Sequence, residues 1–145
     1  MKTRFQISKI DPQAYKAMAA LEKYLNSSTL KPHLRELIKI RSSQINGCAY
    51  CIELHTTTAL ELGEAPRKLF ALPAWTESPL FSQEERIILR MTEEITLICE
   101  NGLTEETYLE ALELFSLNEI TQIIMQIGTI NLWNRMAVST KLQQT

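Results

Sequence analysis

The chain is short of residues that break helices: its 145 positions hold only four glycines and five prolines. No β-branched alternating run stands out, and neither Asn-Gly pair, Asn46-Gly47 or Asn101-Gly102, has strand-like flanks, so a hairpin-built β fold is excluded. Long apolar runs are also lacking. Nothing approaches the roughly 18 residues of a membrane span, and Met1 to Ile10 has no apolar signal core, so a cytoplasmic location and no membrane partner are expected. There is no basic excess either. A net charge of -2 gives no ground for binding nucleic acid or an anionic surface. Three cysteines are too few for a disulfide scaffold, and in a reducing compartment a paired spacing points to catalysis or metal binding.

What the chain does have is helical punctuation. The expected fold class is all-α, one domain over residues 1–145. Asp11-Pro12 reads as an N-cap with proline at the first helical position, opening a helix to about Asn26. A second helix starts near Lys31-Pro32 and runs to about Gln44, with Leu34, Leu37, Ile38 and Ile45 on one face. A third runs from Cys48 to Leu62 and is closed by Gly63. Ala65 to Leu72 is a short helical turn stopped by Pro73, and Ala74 to Leu80 a loop carrying Trp75. Ser82-Gln83-Glu84-Glu85 is a capping box opening a long helix to Gly102, whose apolar stripe takes in Cys99. Thr104 caps a shorter helix to Phe115. Ser116-Leu117-Asn118-Glu119 is a second capping box. It starts a last helix to about Leu142 with two apolar stripes, Ile120, Ile123, Ile124 and Ile127 on one, Met125, Leu132 and Met136 on the other.

The stretch Gln44-Ile45-Asn46-Gly47-Cys48-Ala49-Tyr50-Cys51-Ile52-Glu53-Leu54-His55 carries the chemistry. On a helix, positions i, i+3 and i+7 share a face. Cys48, Cys51 and His55 are therefore expected to point the same way, inward, with Ile52, Ala59 and Leu62. A free thiol, with a pKa of about 8.5, needs a base or a positive environment to become the reactive thiolate. Cys48 sits at the helix start, where backbone N–H groups favour an anion; Cys51 has His55 one turn on. The physics of spacing leaves the choice of nucleophile open, with the dipole slightly favouring Cys48.

Glu36 stands twelve residues before Cys48. Glu-(eleven residues)-Cys-x-x-Cys-x-x-x-His resembles the core of the AhpD-like alkylhydroperoxidases, within the carboxymuconolactone decarboxylase family. The flanks S-Q-I-N-G-C-A-Y-C, H-T, A-L-E-L-G-E, A-L-P-A-W-T-E-S-P-L-F-S and I-N-L-W-N-R are similar too, so the resemblance spans about residues 30 to 138, with core motif 36–55. It implies an AhpD-like helical bundle, assembled as a homo-oligomer, trimer or hexamer. It implies that Cys51 attacks a hydroperoxide and becomes a sulfenic acid, that Cys48 resolves it to a disulfide, and that Glu36 and His55 relay protons to Cys51. A dithiol electron donor, lipoamide-type or thioredoxin-type, would restore the pair. One position departs: Tyr50 stands where the founding enzymes carry a histidine. The decarboxylase branch lacks the cysteine pair.

Each residue also has a plainer reading. Glu36 alone reads as a solvated carboxylate pairing with Lys39; His55 alone as a core histidine. Tyr50 either lines the site or packs. Trp75 and Trp133 read as core or interface, and Cys99 as core. Buried Asn131 and Asn134 would need partners, which a subunit contact would offer. The carboxylates from Glu84 to Glu113 read as solvated faces. The rival chemistry is a zinc site of Cys48, Cys51, His55 and Glu36, but three candidates on one helical face make a tetrahedron awkward. The expectation is thus a thiol peroxidase acting on alkyl hydroperoxides in antioxidant defence, with no metal and no cofactor. The alternative is a dithiol-disulfide oxidoreductase or a redox-sensing module.

Overall fold

The computed structural model describes residues 2–144. The fold is all-α, and no strand occurs among the described residues. The order is α1 (Ile7–Ile10), α2 (Pro12–Asn26), α3 (Pro32–Asn46), α4 (Ala49–Glu61), α5 (Pro66–Ala71), a 3-10 turn (Leu72–Glu77), α6 (Gln83–Thr96), α7 (Ile98–Asn101), α8 (Glu105–Leu114) and α9 (Leu117–Thr140). Local chemistry sets the starts. Asp11 accepts from the Ala14 amide ahead of Pro12, and both capping boxes form, Ser82 with Glu85 and Ser116 with Glu119.

α3 is the central element, packing on α4, α6 and α9. Its Leu34 and Ile38 meet Ile88 and Met91 of α6 and Ile123 and Ile127 of α9 in the main core. Leu37 and Ile40 face a second core with Ala59, Leu72, Trp75 and Leu89. A helix covered on three sides buries polar groups as well. Glu36, Lys39, Ser42 and Ser43 are all buried on α3, and each has an internal partner. A third, small cluster joins Cys48 and Cys51 to Ala137 near the end of α9.

Several expectations are corrected. The long helix breaks at Leu97, whose backbone (φ -97°, ψ 42°) leaves helical space, so α7 is a separate turn. Cys99 is therefore exposed and free, not core. The segment around Trp75 is a 3-10 turn, and Trp75 is buried with its indole N–H donating to Glu93 Oε1 at 2.7 Å. α9 stops at Thr140, where Lys141 turns left-handed (φ 53°). Leu62, expected inward, is half exposed because it lies past the end of α4. Not all the carboxylates are solvated: Glu85 is buried against Lys68, and Glu94 takes the hydroxyls of Thr104 and Thr107. The buried Asn131 and Asn134 find partners within the chain, as described below. On α9, Ile120, Ile123 and Ile127 are buried, while Ile124, Met125 and Leu132 remain substantially exposed.

Candidate active site

The turn before the cysteines is a Schellman motif. Gly47 is left-handed (φ 66°), its amide donates to the Gln44 carbonyl, and the Cys48 amide reaches back to the Ser43 carbonyl at 3.0 Å. A side chain at Gly47 would strain this backbone, so the residue that ends α3 also aims Cys48. Cys48 is the N-cap of α4 and not part of it; its sulfur accepts the Cys51 amide at 3.3 Å. The i, i+3, i+7 face expected from spacing is thus corrected at its first member by the cap geometry. The two sulfurs still meet: Cys48 and Cys51 form a disulfide across a Cα separation of 5.3 Å, both almost fully buried.

Polar groups on α9 clamp the same turn. Asn46 Nδ2 donates to Asn131 Oδ1 at 2.9 Å and to Asn134 Oδ1 at 3.0 Å. Asn134 Nδ2 donates to Ser43 Oγ, and Asn131 Nδ2 to Thr96 Oγ1. The two asparagines that interrupt the apolar pattern of α9 are therefore the brace that holds the end of α3.

Glu36 and Lys39, both buried, form a chain with the partly buried His55. Lys39 Nζ donates to Glu36 Oε1 at 2.9 Å, and His55 Nδ1 lies 2.9 Å from Glu36 Oε2. Burial pushes the Glu36 carboxyl up; the His55 hydrogen bond and the Lys39 charge outweigh it and hold the carboxyl below its usual value of 4.5. An ionised carboxylate only accepts, so the proton of this contact sits on Nδ1. A neutral imidazole then presents Nε2 as an acceptor. Glu36 and Lys39 pair as the plain reading supposed, but in the interior and not on a solvated face.

A cavity of about 480 Å³ opens beside this chain. Tyr50, Cys51 and His55 of α4 line it, facing Tyr15 and Glu22 of α2 and Trp133 of α9, while Phe5 to Ser8 closes one side. Cys51 reaches the cavity wall and Cys48 does not. The residues that spacing did not single out are Lys39, Tyr15, Glu22 and the N-terminal segment. Lys39 was readable only as Glu36's i+3 neighbour, and the walls come from elements remote in sequence. Among the described residues no group of three or more His, Cys, Asp or Glu side chains is placed to hold a metal.

The sequence profile of the carboxymuconolactone decarboxylase family matches residues 12–94, more than half of the chain. The chain belongs to the carboxymuconolactone decarboxylase family. It is 37 % identical over 139 residues to the uncharacterized protein YdfG of Bacillus subtilis, covering 96 % of this chain and 95 % of that one. A crystal structure from Agrobacterium tumefaciens, of a protein of unknown function described as a candidate antioxidant defence protein AhpD, is 38 % identical. It covers 99 % of both chains with a TM-score of 0.97. An uncharacterized peroxidase-related protein from Silicibacter shares the fold at 24 % identity, with a TM-score of 0.81 over 93 % of this chain and 72 % of that one. Within the carboxymuconolactone decarboxylase family this chain is therefore AhpD-like, and it keeps a cysteine pair joined as a disulfide.

Proposed function

We propose that this family member is a thiol-dependent peroxidase that reduces alkyl hydroperoxides in antioxidant defence, with Cys51 as nucleophile and Cys48 as resolving thiol. The observation that carries the reading is that Cys51, and not Cys48, lines the cavity beside His55, whose Nδ1 is tied to Glu36. It outweighs the dipole argument for Cys48, because a nucleophile must reach its substrate. The description of the Agrobacterium relative as a candidate antioxidant defence protein supports the same reading.

In the reduced protein, Nε2 of His55 takes the Cys51 proton. The thiolate attacks the terminal peroxide oxygen, the O–O bond breaks, and the proton passes to the leaving alkoxide, giving an alcohol and a Cys51 sulfenic acid. The Cys48 thiol then attacks Cys51 sulfur, releasing water and forming the Cys48–Cys51 disulfide. A dithiol donor, lipoamide-type or thioredoxin-type, returns both thiols and is itself oxidised. Glu36 keeps His55 in the required tautomer, and the His55 hydrogen bond together with the Lys39 charge keeps Glu36 ionised. Tyr50 forms part of the substrate wall. The steps use thiols alone, with no cofactor or metal.

The reading takes residues 1–145 as one AhpD-like domain with core motif 36–55, acting as a homo-oligomer, trimer or hexamer, in the cytoplasm. No helix among the described residues is long and apolar enough to cross a membrane. The test is hydroperoxide consumption by the reduced protein, with lipoamide, thioredoxin and glutathione compared as donors. Fast consumption supports the peroxidase; exchange with disulfides and none with hydroperoxides supports an oxidoreductase or redox-sensing module instead.

A further inference from the structure

The cavity in front of Cys51 has an unbalanced charge. Its walls are largely apolar and aromatic, with Phe5, Tyr15, Tyr50 and Trp133 among them. Tyr15 and Trp133 meet edge to face, 5.6 Å between centroids at 70°, which makes a fixed corner. Into this corner projects one carboxylate. Glu22 Oε1 accepts the Trp133 indole N–H at 2.9 Å, which fixes the carboxylate on the wall. Among the described residues no lysine or arginine lines the cavity. Arg4, next to the wall in sequence, keeps its charge but donates to the Ser139 carbonyl at 3.0 Å and does not line the cavity. Glu36 has its own cation, Lys39, and lies outside the cavity. A ligand that enters the cavity to reach Cys51 therefore shares it with the Glu22 carboxylate and with no lysine or arginine on its walls. A cavity of this volume spans on the order of 10 Å, about one Debye length at physiological salt, so the carboxylate is felt throughout it.

We propose that Glu22 is a specificity-determining residue, and that the site takes uncharged or cationic ligands with an apolar or aromatic body and rejects carboxylates and sulfonates. Aromatic faces attract a cation and an apolar body alike, and the carboxylate adds attraction for the first and repulsion for an anion. The proposal rests on the peroxidase reading for the identity of the substrate as a hydroperoxide, but the charge preference belongs to the cavity itself.

The test uses the full chain with Cys48→Ser and Cys99→Ser, which leaves Cys51 as the one thiol. Its rates are measured with two methanethiosulfonates of similar size, one carrying a trimethylammonium and one a sulfonate. Each reacts by attack of the thiolate on sulfur with loss of methanesulfinate, so no peroxidase activity is needed. The cationic reagent is expected to react faster, and Glu22→Gln is expected to lower the cation-to-anion rate ratio about fivefold at low salt. Glutamine keeps an acceptor for the Trp133 N–H. Glu22→Lys should lower the ratio further, and circular dichroism confirms that each variant is folded. A ratio unchanged in both folded variants overturns the proposal. A second arm compares cumene hydroperoxide with a carboxylated analogue in the wild type and Glu22→Gln. If neither hydroperoxide is consumed, the peroxidase reading fails while the methanethiosulfonate ratio still decides the role of Glu22.

Discussion

Nδ1 of His55 lies 2.9 Å from Oε2 of Glu36, and the other oxygen of that carboxylate is held at 2.9 Å by Lys39. An imidazole on α4 is thus tied to a carboxylate on α3, and the His55 hydrogen bond and the charge of Lys39, one turn further along the same helix, hold that carboxyl below its usual value. Glu36 and Lys39 are buried and His55 is partly so, and removing either member of the buried pair leaves an uncompensated group.

Glu36→Gln tests the middle of this chain. Hydroperoxide turnover is expected to fall about 10²-fold, because the His55 tautomer is no longer fixed. Stability is expected to fall by about 3–5 kcal/mol, since the Lys39 ammonium is left buried without its counter-charge. The pH dependence carries a sign. The Glu36 carboxyl is held below 4.5 in the folded protein. Its contribution to stability is therefore fully present above the unfolded value and is lost as pH falls through the depressed folded one. Urea midpoints measured downward from pH 5 should drop more steeply in the wild type than in Glu36→Gln.

Lys39→Met removes the cation and keeps much of the volume. The Glu36 carboxyl should rise, and the acid limb of the turnover profile should move to higher pH. Lys39→Arg should restore most of the wild-type profile. A pH profile identical in Lys39→Met and wild type would remove the lysine from the account.

Asn134→Ala cuts the brace between α9 and the turn that carries Cys48. Asn46 and Ser43 each lose a partner there. A loss of about 2–3 kcal/mol is expected, read by chemical denaturation. Faster hydrogen exchange at the Gly47 and Cys48 amides should accompany it, because the Schellman turn is what the brace holds.

The exposed apolar residues of α9 bear on assembly. Met125 and Leu132 are 36 % and 41 % exposed, on a helix whose other face is core. Met125→Glu or Leu132→Glu should lower the oligomer size seen by light scattering at low micromolar concentration. A wild-type 16.6 kDa monomer under the same conditions would contradict the oligomeric reading.

The parts of this architecture written in local chemistry were legible in the sequence. Both capping boxes, the Asp11-Pro12 start and the Asn46-Gly47 turn occur where their residues place them, because each is decided by backbone groups a few positions away. The break at Leu97 was not legible: the apolar period runs through Ile98 and Cys99 although the backbone leaves the helix there, so Cys99 was misplaced. The pairing of Cys48 with Cys51 is what the motif spacing suggests, and the meeting of His55 with Glu36 is what the family resemblance implies, but the burial of Lys39 beside Glu36 is not legible. Nothing local distinguishes a lysine paired in the interior from one paired at the surface. The cavity walls Tyr15, Glu22 and Trp133 come together only through the docking of α2 on α9, a long-range relationship that no periodicity records. For the same reason the sequence shows only that buried Asn131 and Asn134 need partners, and not that Asn46, Ser43 and Thr96 of the same chain supply them.

The most direct measurement is a single turnover of the fully reduced protein with one equivalent of cumene hydroperoxide, followed by mass spectrometry of the thiols and the alcohol. The account predicts one cumyl alcohol per chain and a two-dalton loss confined to the peptide holding Cys48 and Cys51. It also predicts a sulfenic acid trapped at Cys51 in Cys48→Ser, and no reaction in Cys51→Ser. A sulfenic acid trapped at Cys48 in Cys51→Ser, with alcohol formed at the wild-type rate, would contradict it.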